Sequence, residues 1–102
     1  MNEKFTQIGG LRVGLTAFRS FNATWPFASL TMDRSELGLT CLGKRWSIPR
    51  ESIRKLSKVN GWLSKGIRIE HSIENYADYI VFWTFSFDEL KVGLEQRGYS
   101  FR

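Results

Sequence analysis

Between Leu11 and Phe85 the apolar residues fall mainly at every second position, and only after Phe85 does the spacing become helical. A period of two puts one face of an extended strand on a core and the other toward solvent, so the body of the chain is predicted to be short antiparallel strands. Leu11, Val13, Leu15 and Ala17 alternate with Arg12, Gly14, Thr16 and Phe18 in a strand over residues 11 to 18. After a polar loop at Ser20 to Thr24, Ala28, Leu30 and Met32 share one face. A turn at Asp33-Arg34-Ser35-Glu36 leads to Leu37, Leu39 and Cys41. Gly43-Lys44 turns again into a short strand that points Trp46 and Ile48 the same way, and Pro49 ends it because it has no N–H for the ladder.

From Ile53 to Val59 the alternation fails at Leu56, which predicts a bulge or an exposed edge. Asn60-Gly61 opens a loop that Gly66 closes, after which Ile67, Ile69 and His71 share a face. Tyr79 to Phe85 is rich in β-branched and aromatic residues on both faces and reads as a strand covered on both sides. The terminal helix is the default cover for its outer set. An uncovered aromatic strip there would instead be an assembly surface.

That helix, predicted over about 87–97, is the best-marked element. Ser86 and Glu89 have capping-box spacing, Phe85 and Leu90 occupy the staple positions, and Asp88 and Glu89 place negative charge in the first turn. Gly98 is suited to the left-handed C′ position, with Tyr99 reaching back to Leu94. Phe87, Leu90 and Leu94 form a narrow stripe that fits the open end of a barrel, opposite Glu89, Lys91 and Glu95.

The 102 residues suit one domain, 1–102, with residues 1–10 either a mobile arm or the start of the first strand. No stretch approaches the roughly 18 apolar residues of a membrane span, and no apolar run follows the first charges, so a cytoplasmic protein, peripheral to a membrane if it meets one, is expected. Cys41 is the single cysteine; its neighbours Leu39 and Leu42 predict a buried, unreactive thiol. One histidine and one cysteine give little material for acid–base or nucleophilic chemistry. His71, in parity with Ile67 and Ile69, reads as a histidine at the barrel mouth, and Glu70, Glu74 and Asp78 make no recognisable metal site. No phosphate loop follows Gly9-Gly10 or Gly14. The chain is therefore expected to be noncatalytic and to need no cofactor.

The net charge of +5 favours anionic partners. Basic residues concentrate in 44–68, where only Glu51 opposes them. The predicted contact surface is Lys44, Arg45, Arg50, Arg54, Lys58, Lys65 and Arg68, with Trp62 and Leu63 in a loop between lysines. Such a loop suits a membrane interface or an anchored protein partner. Interleaved basic and aromatic residues also suit a nucleic-acid-binding barrel, the alternative from another class; a self-associating subunit is the third reading.

About seven short strands followed by one capped helix resembles the pleckstrin-homology (PH) superfold, in particular its small bacterial PH-like and GRAM-like relatives. The residues carrying the resemblance are Trp25-Pro26-Phe27-Ala28, the Leu37 and Leu39 pair, Ile48-Pro49-Arg50 with Ile53, Gly66 to His71, Tyr79 to Phe82, and the helix ending at Leu94 and Gly98-Tyr99. The resemblance implies a mainly β, antiparallel PH-like barrel that serves as a scaffold for lipid headgroups, peptides or self-association, and leaves the ligand open. The chain departs from inositide-binding members in offering only Arg19 before the neutral stretch Ser20 to Pro26. It also places Leu90 or Leu94 where eukaryotic members carry a helix tryptophan.

Overall fold

A computed structural model describes residues 4–14, 20–61 and 64–101. Seven antiparallel strands, β1 (Phe5–Gly14), β2 (Ser20–Met32), β3 (Glu36–Cys41), β4 (Lys44–Pro49), β5 (Ile53–Asn60), β6 (Lys65–His71) and β7 (Tyr79–Thr84), form one sheet in the order β4-β3-β2-β1-β7-β6-β5. The sheet curls into a half-barrel whose concave side is covered by one helix, α1 (Phe87–Gln96).

The period of two is realised as expected. Leu11, Leu30, Leu37, Leu39, Ile48, Ile67, Ile69, Ile80 and Phe82 point inward and are buried with Leu90 and Leu94 of α1. Cys41 lies in the same core, and burial pushes its thiol pKa up. Residues 5–10 belong to β1, which resolves the choice between strand and mobile arm for them. Residues 20–24, expected as a loop, extend β2. Leu15 to Arg19 lie outside the described residues.

The long first two strands can bend because their register skips. Gly9 pairs with Ala28 and Leu11 with Ala23, so a single residue of β1, Gly10, stands opposite Thr24–Trp25–Pro26–Phe27 of β2. Four residues against one form a large bulge, which turns the sheet and projects those residues outward. The Trp25–Pro26 peptide within it is cis. A Cβ at Gly10 would meet the Ala23 carbonyl at 2.8 Å, so glycine is what lets the bulge fold down onto β1.

The gap between the two edge strands is bridged by short segments. A 3-10 turn, Arg50–Ser52, joins β4 to β5. The 72–78 loop reaches across so that the Tyr76 hydroxyl accepts from the Ser47 N–H (3.2 Å), while the Ser72 N–H donates to the Ser52 carbonyl (2.9 Å). Pro49, the last residue of the β4 edge, has no N–H to offer another strand, and the Ser47 N–H on that edge is already engaged by Tyr76. On the other edge Phe101 makes an isolated parallel bridge to Leu56.

Two helix signals meet different fates. At the C-terminus the Tyr99 N–H donates to the Leu94 carbonyl (3.0 Å) and the Gly98 N–H to the Glu95 carbonyl (3.1 Å), with Gly98 at φ +88°, the expected left-handed stop. At the N-terminus the Ser86 side chain makes no cap hydrogen bond, and Phe85 is exposed rather than stapled to the buried Leu90. Phe85 instead meets the edge of Trp25, with ring centroids 6.1 Å apart, because the β2 bulge offers an aromatic partner on the outer side.

Candidate functional site

The basic residues of 44–68 do not form one face. Lys44 and Arg45 lie on β4 and Arg54 and Lys58 on β5, at opposite ends of the strand order, with Arg50 in the turn between them and Lys65 and Arg68 on β6. The alternation of each strand then divides them again: Lys58 pairs with inward-facing Ile67 and sets its ammonium 4.8 Å from the centre of the Phe87 ring. Arg68, with outward parity, lies over the Tyr79 ring at 5.3 Å. Arg50 has a structural job. Its guanidinium donates to the carbonyls of Arg34 (3.2 Å), Arg97 (3.1 Å) and Gly98, and covers the Tyr99 ring at 5.2 Å, tying the end of α1 to the β2–β3 and β4–β5 connections. Trp62 and Leu63 fall outside the described residues. Gly61 and Ser64, which flank them, are joined by a 2.9 Å hydrogen bond from the Gly61 N–H.

His71 is buried at the sheet's inner face with both ring nitrogens engaged. The Ile73 N–H donates to Nδ1 (3.0 Å), so Nε2 carries the proton and donates to the Ala77 carbonyl (2.8 Å). It shapes the 72–78 loop, as a barrel-mouth histidine should.

The outer face of β7 is not covered by the helix, which packs on Ile80 and Phe82 instead. On that outer face Val81 is flanked by Arg12 of β1 and Arg68 of β6, both stacked over Tyr79. Trp83 is paired on either side with a glycine, Gly10 and Gly66. Its ring lies over Gly66 and Gly61, where an added Cβ would approach it to 3.0 and 2.7 Å. Between this indole and the β2 bulge runs a cleft of about 570 Å³, lined among the described residues by Trp25, Trp83, Phe85, Arg12, Gly61 and Ser64, with others.

The cleft opens onto a ridge of exposed apolar side chains. Ile8, Trp25, Phe27, Leu42 and Phe85 are each more than half exposed, and among the described residues only Val92 shares that state with them. They are neighbours by geometry. Trp25 touches Phe85; Phe27 and Leu42 each follow or precede one member of the Ala28–Cys41 pair; Ile8 pairs with Ser29, two positions from Phe27 on the same face. Leu42 sits at φ +47° beside Gly43 at φ +85°, so the β3–β4 turn is a two-residue turn over Leu42-Gly43 rather than Gly43-Lys44. A leucine in the left-handed region is strained by about 1 kcal/mol.

Charge follows the same ridge. Four of its five side chains come from segments 4–32 and 37–50, which, with 52–69, contain no Asp or Glu. Lys44 and Arg45 follow Leu42, Arg12 lines the cleft, and Lys65 borders an adjoining smaller hollow together with Asp88, the one carboxylate among the described residues that line it.

Comparison with protein families, curated proteins and solved structures finds no match. Among the described residues no helix is long and apolar enough to cross a membrane. Sequence reasoning missed the ridge because the alternation of β2 does not reveal that four residues leave the ladder; the only trace in the sequence is Pro26 set between two aromatics.

Proposed function

We propose that this chain is a noncatalytic binding module, a PH-like half-barrel that docks peripherally on an anionic membrane surface through the ridge of Ile8, Trp25, Phe27, Leu42 and Phe85. The observation that carries the reading is the gathering of five exposed apolar side chains in a region almost free of carboxylates. Aromatic and leucine side chains partition into the interfacial zone, while lysine and arginine beside them meet phosphate. A monomer has little reason to keep such a row in water. The aliphatic members, Ile8 and Leu42, favour lipid over nucleic acid, since base stacking uses flat rings. The same surface fits a cytoplasmic protein that visits a membrane reversibly.

The test is co-sedimentation with vesicles of phosphatidylcholine containing phosphatidylglycerol, against phosphatidylcholine alone. The protein should bind the anionic vesicles more tightly, binding should fall with added salt, and Trp25→Ala with Phe27→Ala should weaken it about tenfold or more. Val92→Ser, which removes the exposed apolar residue off the ridge, should leave it unchanged. Equal binding by the ridge variant, or retention of a single-stranded oligonucleotide but not of vesicles, refutes the proposal.

A further inference from the structure

The outer face of the sheet carries a second charged feature, apart from the ridge. Arg12 of β1, Val81 of β7 and Arg68 of β6 stand directly opposite one another in a row across adjacent strands. Their chain neighbours Leu11, Ile80, Phe82, Ile67 and Ile69 fill the core, so the row points away from it. The two arginines are two strand spacings apart, about 10 Å at their Cα atoms, with a valine between them. Both lean toward the same ring. Their guanidinium carbons lie 5.8 and 5.3 Å from the centre of Tyr79, which precedes Val81 by two residues on the same face of β7.

Two like charges gathered on one ring repel each other, and nothing nearby neutralises them. Among the described residues neither arginine makes a hydrogen bond or an ion pair, and the Nε of Arg68 is buried without an acceptor. A buried donor left in that state is rare in a native fold. The nearest carboxylates along the chain, Glu70 and Asp78, are joined to neither arginine; Glu70 stands across from Lys55 of β5. Stacking uses the flat side of a guanidinium and leaves its N–H edges free. Two such edges suit a tetrahedral oxyanion with three unesterified oxygens, which accepts from both forks at once, whereas a carboxylate or a phosphodiester offers two oxygens and matches one fork. We infer that Arg12 and Arg68 together form a site for a terminal phosphate, the dianion of a phosphate monoester. The chemistry is the same for a soluble monoester and for a lipid headgroup, and the test separates the two.

The experiment is an NMR titration of the isotope-labelled full chain, at constant ionic strength, with methyl phosphate, which is mainly the dianion at about pH 7. Saturable shifts of the Arg12 and Arg68 Nε–H signals are expected, with dimethyl phosphate and acetate binding about tenfold more weakly or less. Arg12→Gln and Arg68→Gln should each weaken methyl phosphate about tenfold, and Arg12→Lys, which keeps the charge but not the fork, should recover only part of the loss. The same spectra report whether each variant is folded; Arg12→Gln, at a half-buried position, carries the test if Arg68→Gln does not fold. Vesicles then identify the source. Tighter binding to phosphatidic acid than to phosphatidylglycerol at equal surface charge, lost in Arg12→Gln, assigns the phosphate to a lipid; equal binding assigns it to a soluble monoester. Absence of saturable shifts, equal affinity for dimethyl phosphate, or normal affinity in the folded glutamine variants overturns the inference. The ridge is tested independently, since Trp25→Ala with Phe27→Ala should leave methyl phosphate binding unchanged.

Discussion

His71, Arg50 and Tyr99 are three polar residues whose value lies in what they hold together. Removing the imidazole leaves the Ile73 N–H and the Ala77 carbonyl without partners in a part-buried loop, so His71→Ala should lower stability by about 1–3 kcal/mol, read by urea unfolding. A matching loss would be absent if the loop were ordered by other contacts. Arg50 was expected on a binding face. Its three backbone carbonyl bonds predict the opposite for Arg50→Ala: stability down by about 1 kcal/mol, with vesicle binding of the folded protein unchanged. The Tyr99 hydroxyl donates to the Asp33 carbonyl (2.8 Å), and burial pushes its pKa up to about 12 against an ordinary 10. The folded state keeps this proton after the unfolded chain has lost it. Its contribution is therefore whole below pH 10 and disappears as pH rises to 12. Tyr99→Phe should flatten that alkaline decline, which a pH series of denaturation midpoints would show.

At the scale of elements, the helix and the β3–β4 hairpin each set a sequence rule against the surrounding structure. The capping-box spacing of Ser86 and Glu89 predicts a loss of about 1 kcal/mol for Ser86→Ala. The observed Ser86 makes no cap bond, so the loss should stay within a few tenths. The other end was legible, because Gly98 and Tyr99 act locally on carbonyls three and five residues back, whatever else packs nearby. The staple failed for a tertiary reason, the presence of Trp25 on the outer side, which no spacing within 85–90 can show. In the hairpin, Leu42 occupies a left-handed position where asparagine is preferred. Leu42→Asn should raise stability by about 0.5–1 kcal/mol and weaken vesicle binding, a paired change in opposite directions. Loss of both, or gain of both, would mean that the leucine is not retained for contact.

Taken as a whole molecule, the protein closes its core with a single helix against a sheet whose two edges do not pair, and the outer side of β7, next to the middle strand β1, is left uncovered by that helix. Phe82 is fully buried in the core, and Phe82→Ala should cost about 3–5 kcal/mol, a large share of a domain's usual stability of about 5–15 kcal/mol, read as a lowered urea midpoint. The sequence by itself determined the strands, their inward residues and the helix stop, because a period of two, a turn residue and a C′ glycine each act over a few neighbouring positions. It also marked His71 and Cys41 as interior. Only the tertiary structure decided which charges share a surface, since the alternation within strands and the order β4-β3-β2-β1-β7-β6-β5 scatter residues 44–68 that are close in the chain. It alone placed Ile8, Trp25, Leu42 and Phe85 side by side. Contacts of that kind depend on register and on a four-residue bulge, and both are settled by how the whole sheet curls around its core.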